Sequence, residues 1–232
     1  MTRRRPVPRR RPRPRVHPRP RGADRVNLDE SRIWLRSILP DDPQFTVRQV
    51  GPSFPDFHVA EVQLAGETVA VTADAARIEP GLVTEDGSDL RVELLTVVAG
   101  GGTTAAALVT AAATMIAQDP HTHSPQPGTM LRDLGEHVDA SLTARHGLLV
   151  VPWVWDRGVP NMHEVTAGGR HAGGAAHHEF THPGRLTVVA QLMMLTDPEA
   201  DYAAAHGVPA LQDVLAASGV NLNDVRRPAV AV

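Results

Sequence analysis

Cysteine and lysine are both missing from these 232 residues. The first absence excludes disulfides, thiolate zinc sites and a thiol nucleophile. The second excludes the phosphate-cradling loop whose glycine-rich turn leads into a lysine, so Gly100-Gly101-Gly102 reads as a plain turn. Neither G-x-S-x-G nor G-x-G-x-x-G occurs. Negative charge is missing locally: residues 1–22 hold ten Arg and no acid, which leaves thirteen Arg against all 26 Asp and Glu in the rest. The net charge of -3 therefore joins a tail near +10 to a body near -13.

Long apolar runs are scarce too. Leu94 to Gln118 carries no charge and has the length of a membrane span. Its middle is glycine and threonine, and its second half is mainly alanine and threonine, so a strand, a glycine turn and a small-residue helix are expected instead. No apolar stretch succeeds the basic N-terminus, so no secretory signal and no membrane partner are expected, and the expected location is cytoplasmic.

The residues that are present fall into three parts. Residues 1–26 read as a disordered Arg/Pro-rich tail that favours an extended polyproline conformation. Nucleic acid is a candidate partner there, through residues 1–22 alone, by counterion release. A folded domain is expected over 27–228, interrupted by a Gly/His-rich loop at 166–184.

Within the domain, DESRIWLRSIL spaces Ile33, Trp34, Ser37 and Ile38 as one face of a short helix. FTVRQVG, FHVAEVQLAG and ETVAVTAD alternate like half-buried strands, with Ala65-Gly66 as a hairpin turn. RVELLTVVAG is a strand leading into the helix TTAAALVTAAATMIAQD. TMLRDL and GLLVVPWVW read as strands, which puts Trp153 and Trp155 on one side. RLTVVAQLMMLT is apolar on both faces, as in a doubly covered central strand. Thr196 and Glu199 have capping-box spacing at the start of a helix that stops at Gly207, and a second helix stops at Gly219.

One motif points to chemistry. His178-Glu179-Phe180-Thr181-His182 matches H-E-x-x-H, in which two His one helical turn apart share a zinc ion and Glu179 acts as base on its bound water. The match fails on backbone shape. Pro183 pushes His182 out of helical angles, and in an extended chain His178 and His182 stand about 13 Å apart. Arg185 occupies the place of the glycine in the longer motif. No cofactor and no catalytic residue are expected; a zinc-dependent hydrolase using His178, Glu179 and His182 is the alternative, as is metal uptake by His171, His177, His178 and His182. Trp153 and Trp155 are the candidates for a protein contact if their face is exposed.

RVELL (91–95), PGTML (127–131), GLLVVP (147–152), the stretch from Thr187 to Val220 and the closing DVRRPAV together resemble the suppressor-of-fused domain in its bacterial, single-domain form, over about four fifths of the chain. The resemblance implies a single α+β domain with a mixed, largely antiparallel sheet and flanking helices, and no catalytic residues. Eukaryotic members bind a transcription factor and hold it inactive, and bacterial members are linked to immunity against polymorphic toxins. It thus implies a non-enzymatic immunity or adaptor protein that occludes a protein partner. An acidic body suits a basic toxin as that partner.

Overall fold

A computed structural model of the chain describes residues 27–50, 56–164 and 184–232. The Arg/Pro-rich segment and His171, His177, His178, Glu179 and His182 lie outside them.

Helix α1 (Leu28–Ile38) starts where the Asn27 side chain accepts from the amides of Asp29 and Glu30. It buries Ser31 and Leu35, while Ile33 is 67% exposed. The expected face is therefore turned: Trp34 and Ile38 still touch the core, but Ile33 and Ser37 do not. The cause is the sheet beneath, whose Val62, Val69 and Leu95 join Leu35 and Leu39 in one cluster.

Strands β1 (Gln44–Arg48), β2 (Phe57–Leu64) and β3 (Glu67–Thr72) form an antiparallel meander. Leu64 pairs with Glu67 across the two-residue Ala65-Gly66 turn, where Gly66 has φ 85°. Strand β4 (Asp89–Ala99) pairs with β3 and leads through the glycine turn into α2 (Thr104–Gln118), as the sequence predicts. Alanines let α2 lie close on the sheet, and Thr110 and Thr114 return their hydroxyls to the carbonyls of Ala106 and Thr110. Leu108, Val109 and Ile116 are fully buried, each contributing about 1.5–3 kcal/mol.

TMLRDL forms less strand than expected: β5 covers Met130–Leu131, and a 3-10 turn takes over at Leu134–His137. Strands β6 (His146–Val150), β7 (Asn161–Glu164) and β8 (Arg185–Leu195) complete the sheet. Its order is β1-β2-β3-β4-β8-β6-β5, with β7 also on β8. The β4–β8 pair is parallel and the other ladders are antiparallel. β8 is covered on both faces, with Ala190, Leu192 and Met194 towards α2 and Val189, Met193 and Leu195 on the other side. Helices α3 (Asp197–His206) and α4 (Val208–Ser218), broken at Gly207 and ended at Gly219, pack with α1 on the face opposite α2. The result is one α+β domain with a mixed, mostly antiparallel sheet. Among the described residues no helix is long and apolar enough to cross a membrane.

Candidate functional site

Strands β6 and β7 share one edge of β8: β6 takes its Gln191–Leu195 end, and β7 takes Arg185–Val188. Between them the chain leaves the sheet, because Pro152 has no amide to donate to β8. The strand expected to run through Trp155 thus stops at Val150, and the alternation that would place both tryptophans on one side ends with it. Trp155 packs into the α1 side of the core and its indole N–H donates to the Ile38 carbonyl at 3.0 Å. Trp153 is held by its backbone, whose amide donates to the Gln191 side-chain oxygen at 3.2 Å. Pinned at these two points, the segment exposes Val151 (58%), Trp153 (49%) and Val154 (41%). The cavity against Trp153 measures about 10 Å³, far too little for a small-molecule ligand. A pre-ordered apolar surface remains.

Polar groups that could do chemistry hold the fold instead. His146 is buried with both ring nitrogens engaged: Nδ1 accepts from the Asp133 amide at 2.9 Å, so Nε2 carries the proton and donates to Asp197 Oδ1 at 2.9 Å. Arg145 grips both Asp197 oxygens, at 2.7 and 2.8 Å. Burial pushes the Asp197 carboxyl up, and the bonds from Arg145 and His146 outweigh it, so its pKa lies below the ordinary value. The arrangement ties the start of α3 to β6 and offers no free base.

Glu199, fully buried, accepts from Arg227 at 2.6 and 2.7 Å, from the Thr196 amide at 2.9 Å and from the Val230 amide at 3.0 Å. Burial raises its pKa, and Arg227 with the Val230 and Thr196 amides brings it below the ordinary value. These bonds occupy both oxygens, so Glu199 is not available as a third ligand for His178 and His182. Glu93 on β4 is also wholly buried, accepting from the Thr72 hydroxyl at 2.5 Å and the Ala75 and Ala76 amides at 3.0 and 3.1 Å. Burial dominates here and pushes its carboxyl up to about 8. His58 meets Asp74 at 2.9 Å, and Arg77 reaches the same oxygen at 2.8 Å. Among the described residues no three His, Asp or Glu side chains are grouped to hold a metal ion.

Sequence patterns do not reveal these buried acids. The one available signal is Glu93 inside the apolar RVELL; the spacing of Glu199 points only to a cap, which it also makes.

No family model matches the sequence, and no curated protein matches it either. Solved structures do. A suppressor-of-fused homologue from Neisseria gonorrhoeae superposes with a TM-score of 0.59 at 14% identity, covering 88% of this chain and 97% of that one. A chain of the Sufu-Fu complex superposes with a TM-score of 0.59 at 13% identity, covering 88% of this chain and 91% of that one. The fold is that of the suppressor-of-fused homologues.

Proposed function

We propose, on that fold, that the chain is a non-enzymatic binding protein that inhibits a protein partner by occlusion, as an immunity or adaptor protein does. The observation that carries this reading is the exposed segment with Val151, Trp153 and Val154, whose backbone is fixed before any partner arrives. An ordered tryptophan flanked by aliphatic side chains is the kind of surface on which binding energy concentrates. Support also comes from the solved Sufu-Fu complex, in which a chain of this fold is crystallised with a protein.

Outside residues 1–22, thirteen Arg stand against 26 acids, so the body attracts a basic partner such as a nuclease toxin and accelerates its approach. The test is calorimetric titration with an inactivated toxin encoded beside the gene. Trp153→Ala is expected to weaken binding by about 10- to 100-fold with an unchanged melting temperature, and added salt to weaken binding. Full affinity in a chain carrying both Trp153→Ala and Val151→Asp would remove this face from the interface.

A further inference from the structure

Strand β1 ends the sheet, pairing with β2 and with no other strand among the described residues. Edge strands attract further strands unless proline, a bulge or charge blunts them, and Gln44–Arg48 contains no proline, while its one charged residue, Arg48, is already neutralised by Glu61. Its two faces differ in character. Thr46 and Arg48 are polar and both bond to Glu61, at 2.8 and 2.7 Å. Phe45 and Val47 lie on the α1 side, where Val47 is 55% exposed. Beside Phe45 opens a hollow of about 500 Å³, lined by Asp29, Arg32, exposed Ile33, Arg36 and Pro43.

We propose that β1 pairs antiparallel with β1 of a second copy, about a two-fold axis through Thr46, joining the two sheets into one. The strand is self-complementary in that register. Phe45 faces the partner's Val47, and Val47 faces the partner's Phe45, so the exposed valine gains a cross-strand apolar neighbour. Gln44 faces the partner's Arg48, a neutral polar side chain opposite a cation. The two-fold therefore sets no like charges directly opposite one another within the strand.

The pairing has a functional consequence, which rests on the binding reading above. Four strand steps, about 19 Å, separate β1 from β8, so both copies of the Val151–Trp153–Val154 surface stay open and the dimer is bivalent towards a repetitive or dimeric partner.

Sedimentation velocity of the untagged full chain, at micromolar and at high micromolar concentration, is expected to show a species of twice 24.9 kDa. Val47→Glu is expected to weaken its association at least tenfold. A monomer at every concentration overturns the proposal, and so does a dimer indifferent to Val47→Glu. A covalent trap gives a second reading, because the chain has no cysteine. The axis places the two Thr46 Cα atoms about 4.5–5.5 Å apart, within disulfide range, but the two Gln44 Cα atoms about 13 Å apart. Mild oxidation is expected to cross-link Thr46→Cys and leave Gln44→Cys monomeric; equal cross-linking overturns the pairing. Partner affinity is read separately through Trp153, so either idea fails without the other.

Discussion

Glu93 and Glu199 are both sealed from water, yet their carboxyl groups move in opposite directions. Glu199 has a guanidinium against it, and Arg227 with two amides stabilises the ion beyond what burial costs. Glu93 has three neutral donors and, among the described residues, no cation in contact, so burial prevails and protonation extends to about pH 8. Its folded pKa lies above the ordinary 4.5, so folding favours the protonated form: that contribution is complete below pH 4.5 and is lost as pH rises through 8. Glu93→Gln removes the titration, and urea unfolding between pH 5 and 9 is expected to show a flatter decline in stability, by about 1–4 kcal/mol across the window. Parallel profiles for the two proteins would mean that Glu93 is not the titrating group. None of this is legible in the sequence, where an acid in an apolar strand looks the same whether a cation reaches it or not. Arg227 reaches Glu199 from 28 residues away.

Among the elements, α2, β8, α3 and α4 agree with the sequence reading because their signals are local: alanine-rich helix, continuous apolar run, proline and glycine at the ends. α1 and the segment after β6 depart from it for a tertiary reason. Amphipathic spacing allows more than one face to α1, and the cluster around Val62 and Leu95 chooses the one with Leu35. The loss of strand at Pro152 is readable from the proline; the separate anchoring of Trp153 and Trp155 is not, because it depends on Gln191 and Ile38. The 3-10 turn Leu134–His137 rests on close approach: Gly135 donates to the Arg145 carbonyl at 2.7 Å, and a Cβ there would stand 2.8 Å from the Arg145 Cα. Gly135→Ala is therefore expected to cost about 1–3 kcal/mol in chemical denaturation. A neutral result would show that the turn can withdraw from β6 freely.

At the scale of the whole molecule the charge is divided between a basic terminal segment and an acidic body, and each is expected to govern a different association. Labelled duplex DNA is expected to bind the full chain with an affinity that falls at least tenfold between about 50 and 200 mM salt, and to be released when residues 1–22 are deleted; anisotropy unaffected by the deletion would place any DNA contact on the body. The sequence by itself determined most of the helices and strands and the division of charge, because these rest on periodicity, chain breakers and composition within short windows, while the fold class was legible only through the family resemblance. Only the tertiary structure decided that Trp153 is exposed while Trp155 packs inward, that Glu199 is committed to Arg227, and that β1 is an edge among the described residues. Those outcomes depend on contacts between residues distant in the chain, whose strength is set by burial and by the third dimension.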